Sequence, residues 1–301
     1  MMLVGLHDAE QEYLRGKTFP NYALMKISTY HKNKGDVVAW WTEIESEKYD
    51  LIYSSKIFDF TRENPYLPER TIKGGTGYNI KTKLPYEIDA LFPDYTIYPQ
   101  CDYALGYITR GCNNNCAWCI VPEKEGHIAP YRRWRDIVRV DRKKLVLMDN
   151  NILAHKHGIT ELESLIGSGY SIDLNQGMDA CLIDNSIAGI LSRLTWIKYI
   201  RLSCDTLQKV DAVISAAEKL KYRGIPAHRI FVYMLITHDI QDAVERVKRL
   251  RVLKNITLYA QPERSNARNK TPNREQLTFA QRYIYSGVYR KKDWDEWRKA
   301  E

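Results

Sequence analysis

Three cysteines, Cys112, Cys116 and Cys119, fall within eight residues of the stretch TRGCNNNCAWCIVP, Thr109 to Pro122. Thiolates packed so tightly in one loop are ligands for a soft metal centre, either zinc or an iron–sulfur cluster. A structural zinc site takes four ligands, usually as two spaced pairs. His127 lies eight residues beyond the trio and Cys101 eleven before it, so neither completes a standard knuckle. Three thiolates suit a [4Fe–4S] cluster with one iron left open for chemistry. The remaining cysteines, Cys101, Cys181 and Cys204, are scattered and read as small buried hydrophobes.

The elements that must position this loop are legible as apolar runs. Strand-like runs occur at ALGYITRG, KLVLMDN, SIDLNQG, YIRLSCD, RIFVYMLI and NITLYAQP. Helical segments are expected between them at Glu161–Ser168, Asn185–Leu194, Leu207–Arg223 and Ile240–Leu253. In the last of these, Ile240, Ala243, Val244, Val247 and Leu250 recur at helical spacing with charges opposite. Six strands alternating with helices predict parallel βα units. Six units fall short of a full eight-stranded barrel, so an open, partial barrel is expected. In such sheets the chemistry gathers at the C-terminal strand ends, and the cysteines follow the first strand.

Upstream, MLVGL, DVVAWW and YDLIYSS read as strands, with a helix over Tyr22–Lys32. This predicts a small Rossmann-like α/β domain. The Gly/Pro-rich zone from Glu63 to Pro99 reads as a surface connection. His31 reads as a surface residue near a helix end. The expected domains are therefore 1–98, 99–262, and a basic, mainly helical extension over 263–301.

The 301 residues carry a net charge of +8, with 44% hydrophobic and 27% charged residues, a globular composition. No apolar run approaches the roughly 20 residues that cross a bilayer, and the opening MMLVGLHDAEQE is too short in apolar residues for a signal peptide. A cytoplasmic location without a membrane partner follows as an expectation. Arg132 to Lys144 has seven basic and two acidic residues, and Arg264 to Glu301 ten and five. Both segments suit phosphate backbones. Tyr289, Trp294 and Trp297, interleaved with Arg290, Lys291, Lys292 and Arg298, are placed either to stack bases or to form the apolar face of a terminal helix.

Cys112-x-x-x-Cys116-x-x-Cys119, with Trp118 directly before the last cysteine, resembles the signature loop of the radical S-adenosylmethionine (SAM) enzymes. The resemblance implies a partial (β/α)6 barrel, a [4Fe–4S] cluster whose open iron chelates SAM, and an external one-electron reductant of flavodoxin or ferredoxin type. It implies reductive cleavage of SAM to a 5′-deoxyadenosyl radical and abstraction of a substrate hydrogen. By the same resemblance Asp149, Asn150 and Asn151 would receive the SAM amino group, with Asn175 and Gln176 over the same face. Arg201 would take the carboxylate, Ser203 and Asp205 the ribose hydroxyls, and Leu235 and Ile236 the adenine.

The loop is also similar to that of the methylthiotransferases. Those enzymes carry a second cluster on three N-terminal cysteines, and this chain has no cysteine before Cys101. The first ~98 residues look like a shortened cobalamin-binding domain, yet GLHDAEQEY lacks the Asp-x-His-x-x-Gly loop, so no cobalamin is expected. The whole layout, including IKGGTGY and NQGMDA, resembles compact radical SAM proteins of bacteria and phages. A nucleic acid or nucleotide is the expected substrate. Two alternatives stand beside this reading: a cobalamin-dependent radical SAM methyltransferase, and a non-enzymatic nucleic-acid-binding protein with a structural metal site.

Overall fold

The computed structural model describes residues 1–13 and 19–300. Glu301, the last residue of the basic tail, lies outside them. The chain forms two compact units, Met1–Asp102 with Ser265–Asn269, and Tyr103–Arg264 with Lys270–Glu301.

The first unit holds four parallel strands, β1 (Leu3–Asp8), β2 (Val37–Trp40), β3 (Leu51–Ser55) and β4 (Ile72–Gly74), in the order β2-β1-β3-β4. Helix α1 (Tyr22–Asn33) starts at Asn21, whose side chain accepts from the Leu24 amide. Val4 and Leu6 of β1 pack on Leu24 and Ile27 of α1 in one small core. A Cβ at Gly5 would stand 2.9 Å from the Tyr49 ring, so only glycine fits at the centre of β1. The zone from 63 to 99 is not a surface connection. It supplies β4, a helical turn at Tyr86–Asp89 and two buried anchors, Ile88 and Tyr98. Pro and Gly punctuation there marks tight turns inside a domain. Ser265–Asn269 folds with this unit through Asp59, whose carboxylate accepts from Ser265 Oγ at 2.6 Å and Ala267 N at 2.9 Å.

The second unit contains β5 (Ala104–Gly106), β6 (Lys144–Leu147), β7 (Ser171–Leu174), β8 (Ile200–Ser203), β9 (Ile230–Ile236) and β10 (Thr257–Pro262). Helices α2 (Lys156–Ser164), α3 (Asn185–Arg193), α4 (Val210–Tyr222) and α5 (Ile240–Leu250) follow β6, β7, β8 and β9. The strand β5 is followed by the cysteine loop instead. Two parallel sheets result, β5-β6-β7 with Thr195–Trp196 at its edge, and β8-β9-β10 with Met178–Asp179 at its edge. The fold is mixed α/β with parallel sheets. Its core is continuous: Leu145 and Leu147, Ile172 and Leu174, Ile200 and Leu202, and Val232, Met234 and Ile236 all join one apolar cluster with the helices.

Alternation along the later strands then decides what lies on the opposite face. Asp173, Arg201, Ser203, Phe231, Tyr233, Leu235 and Tyr259 are half-buried there. Arg201 is in register with Phe231, and Ser203 with Tyr233 and Tyr259. Rings of Tyr199, Phe231, Tyr233, Tyr259 and Tyr285 succeed one another at centroid distances of 5.0 to 5.4 Å. This face is polar and aromatic, whereas the helix-facing side is aliphatic.

The C-terminal segment does not stand apart as a basic extension. Phe279, Tyr283, Tyr289, Trp294 and Trp297 are all buried in the core of the second unit. Helix α6 (Trp294–Ala300) turns both tryptophans onto Tyr283, at ring distances of 5.2 and 5.6 Å. Burial therefore removes Tyr289, Trp294 and Trp297 from any role in stacking bases. Among the described residues no helix is long and apolar enough to cross a membrane.

Candidate functional site

The cysteine loop opens at Gly111, whose φ of +85° and close approach to the His127 carbonyl exclude a side chain. A Cβ there would lie 2.3 Å from that oxygen. The loop is closed from behind by Glu125. Its carboxylate accepts from the Gly111 amide at 2.8 Å and from Asn150 Nδ2 at 3.0 Å, and it pairs with Arg110 at 2.7 Å. Cys112 N donates to Gly126 O, and Ile128 N donates to Asn113 Oδ1. All three cysteines are partly exposed, and none is in a disulfide.

Donors converge on the sulfurs. The amides of Asn114 and Val121 lie 3.4 Å from Cys112 Sγ and Cys119 Sγ, and Asn151 Nδ2 lies 3.6 Å from Cys112 Sγ. Hydrogen bonds to sulfur of this kind tune the potential of iron–sulfur clusters. Burial raises the Cys116 thiol above its usual range, with Cys119, Cys112 and Asp205 adding to the effect and Lys209 opposing it. A metal that binds here must displace a proton. Among the described residues no three His, Cys, Asp or Glu side chains converge as ligands to a single metal ion. A four-iron cluster takes one thiolate per iron and so asks for sulfurs spread around it. N–H groups on the sulfurs of Cys112 and Cys119 are of the kind such a cluster accepts.

Each expected SAM contact has a definite place. Asp149 is buried and committed: its carboxylate accepts from the amides of Ile108 and Thr109 and from Thr109 Oγ1. It fixes the chain just ahead of the cysteines, mainly through Oδ1, with Oδ2 sharing the Ile108 amide. Burial pushes its pKa up to about 6 against those hydrogen bonds. Asn150 is held by Glu125. Asn151 is buried, with Nδ2 on Cys112 and Oδ1 lacking a partner. Asn175 is half-buried, and Gln176 is exposed and donates to it. Trp118 is half-buried within the loop.

Arg201 lies against Asp173 on the aromatic face, and its Nε and Nη1 are buried without a hydrogen-bond partner among the described residues, so it keeps donors that a carboxylate could accept from. Ser203 Oγ donates to the Met178 carbonyl at 3.3 Å. Asp205, raised by burial, accepts from the Leu235 amide at 2.8 Å. Leu235 lies half-buried on the aromatic face, but Ile236 is fully buried in the helix-facing core. Neighbouring strand residues point oppositely, so the two cannot share one ligand.

Three residues outside the expected set complete the site. Asp179 accepts from Asn114 Nδ2 in the cysteine loop and from Lys209 Nζ, each at 2.8 Å. Burial raises the Asp179 carboxyl, but these two bonds outweigh it and hold it below its usual range. Lys209 acts electrostatically on Cys116 as well. Arg246, fully buried, donates to the carbonyls of Cys204 at 2.6 Å and Leu235 at 2.8 Å, and to Asp242 at 2.5 Å. It clamps the C-terminal ends of β8 and β9 together. Of the scattered cysteines, Cys101 and Cys204 are buried, whereas Cys181 is exposed.

No protein-family description and no curated protein matches the chain at a significant level. Among solved structures, Streptococcus suis SuiB superposes with a TM-score of 0.44 at 13% identity. The match covers 63% of this chain and 47% of that one, so this chain spans about half of its length. A likeness at that level bears on neither family nor function.

Proposed function

We propose that this protein is a radical SAM enzyme built on a partial (β/α)6 barrel. The observation that carries the reading is the trio Cys112, Cys116 and Cys119, following the first of six strands with backbone and side-chain N–H groups directed at its sulfurs. When bound, a [4Fe–4S] cluster supplies the electron that cleaves SAM and so starts hydrogen abstraction.

The chain's own residues prepare that site. Asp149 and Glu125 fix both ends of the loop, and Asn114 ties its middle to Asp179. Asn151 offers the cluster a hydrogen bond and presents a buried, unpartnered oxygen to any donor bound there. Arg246 and Asp205 hold the ends of β8 and β9 rigid beside it. Tyr233 and Tyr259 line the face on which a substrate would lie, and their rings suit a planar group such as a nucleobase. The net charge of +8 and the basic stretch Arg132–Lys144 favour a substrate bearing phosphate. Nucleotides and nucleic acids are accordingly the class to test first.

The deciding experiment is anaerobic reconstitution with iron and sulfide, then reduction in the presence of SAM, with assay for 5′-deoxyadenosine. Its formation by the parent chain and loss in Cys116→Ala is the expected result. Zinc binding alone, without deoxyadenosine, would leave a structural metal site.

A further inference from the structure

The first unit contains a polar centre that the cysteine chemistry does not use. Its strand order β2-β1-β3-β4 reverses the direction of chain progression between β1 and β3. In parallel sheets the crevice outside the C-terminal strand ends at such a reversal is where ligands bind. At these ends lie His7 and Asp8 of β1, Ser54 and Ser55 of β3 followed by Lys56, and the glycines that follow Lys73 in β4.

The side chains there are organised as a chain of hydrogen bonds. His7 Nε2 meets Glu12 Oε2 at 2.8 Å, His7 Nδ1 meets Ser54 Oγ at 2.8 Å, and Ser54 Oγ meets Tyr78 OH at 2.8 Å. The carboxylates around the edge have donors on at least one oxygen, while Glu10 Oε2 is buried without one. Asp8 accepts from Tyr98 OH at 2.6 Å and from the Glu10 amide. Glu10 accepts from the amides of Ile57 and Phe58, and Glu63 pairs with Lys73.

Lys56 stands apart from them. Its side chain lies in a residue only 8% exposed, yet among the described residues no acceptor or carboxylate reaches its ammonium. It faces the Tyr78 ring, 4.6 Å from the centroid. A ring attracts a cation but cannot accept from all three N–H donors of an ammonium. The burial is built in. Gly75, at φ +93°, and Gly77 would each place a Cβ within 2.8 Å of Lys56 atoms, so this loop folds over Lys56 only as glycine. The stem is enclosed while the ammonium opens to the crevice.

We propose that this strand-end crevice is a binding site for an oxyanion of a small ligand, phosphate or carboxylate, received by Lys56 beside the Ser54–Tyr78 hydroxyl pair. The site is independent of the cysteine loop, so its failure and that of the proposed enzymatic reading are separable. Lysine serves oxyanions as a compact point charge, and neighbouring hydroxyls complete their hydrogen bonding.

The test is calorimetric titration of the full chain with inorganic phosphate and, separately, acetate at constant ionic strength. Saturable binding that Lys56→Met weakens roughly tenfold or more, and Lys56→Arg retains, is expected. Preference for phosphate or for acetate names the oxyanion, and a response to neither overturns the site. Equal binding by parent and Lys56→Met overturns it too. Because Lys56→Met could fail to fold, a second measurement uses the parent chain alone. Phosphate should slow acylation of Lys56 relative to the exposed Lys81, as read by mass spectrometry. Unchanged Lys56 acylation overturns the proposal.

Discussion

Asn114 in the cysteine loop donates its side-chain N–H to Asp179 Oδ2 across 2.8 Å, a bond between residues 65 positions apart. Lys209 holds the other oxygen of the same carboxylate. The loop is thereby fastened to the start of the second sheet at its middle and not only at its ends. Partners that orient metal ligands typically matter by about 10–100-fold in metal affinity. Asn114→Ala should therefore retain iron roughly tenfold less well against a chelator than the parent. Asp179→Ala should lose at least as much, since it also unpairs Lys209, and the double variant little more than Asp179→Ala, because both remove the Asn114–Asp179 bond. Additive losses would show that the two residues act separately.

The trio itself gives the sharper test. Cys112→Ala, Cys116→Ala and Cys119→Ala should each abolish iron–sulfur absorbance after reconstitution and, with it, deoxyadenosine formation. Cys181→Ala and Cys101→Ala should leave both intact. If one of the trio proves dispensable, the ligand assignment fails.

Asp149 predicts a pH effect with a definite sign. Its pKa is raised to about 6 in the folded chain by burial, against the ordinary 3.8. The native state therefore binds the extra proton between these values, and this group's contribution to stability falls as pH rises from about 4 to about 6. At 1.36 kcal/mol per unit the full loss is about 3 kcal/mol. Asp149→Asn carries no titrating group, so the stability difference between variant and parent should change by that order between pH 4 and 7. Urea denaturation at both pH values measures it, and parallel pH profiles would mean the carboxyl stays close to 3.8.

Arg246 is a stability prediction. Its guanidinium is fully buried and bridges the carbonyls of Cys204 and Leu235. Removing one member of a buried charged network costs about 3–5 kcal/mol. Arg246→Ala should lower the unfolding free energy by that amount. It should also weaken cluster retention, since the ends of β8 and β9 lose their clamp. A loss under about 1 kcal/mol would show that water replaces the clamp readily.

How much of this was legible in the sequence depended on the range of the interaction. The close spacing of the three cysteines is local, and so are the apolar runs of β5 to β10, so both are readable. The partners of the loop are not: Glu125, Asp179 and Lys209 are ordinary surface types until the fold brings them to the cysteines. Asp149 was singled out correctly as a strand-end residue, but its carboxylate turned inward to the Thr109 amide. Leu235 and Ile236 were assigned together although their alternation already forbade a shared ligand. The zone from 63 to 99 misled because glycine and proline look the same in a linker and in the tight turns around Lys56.

The C-terminal aromatics carried two readings in the sequence, and burial separates them. Trp294 and Trp297, three apart on α6, turn one face onto Tyr283 and Phe279 and leave the charges outside. Truncating such a residue costs about 3–5 kcal/mol through lost burial and the cavity left behind. Trp294→Ala should therefore lower the denaturation midpoint sharply. At temperatures where that variant remains folded, its affinity for single-stranded nucleic acid should equal that of the parent. Neutralising Arg133, Arg135 and Arg142 together should act the opposite way, leaving stability nearly unchanged while reducing affinity and its salt dependence. Were Trp294→Ala to lose binding while folded, α6 would have to open to expose its aromatic face.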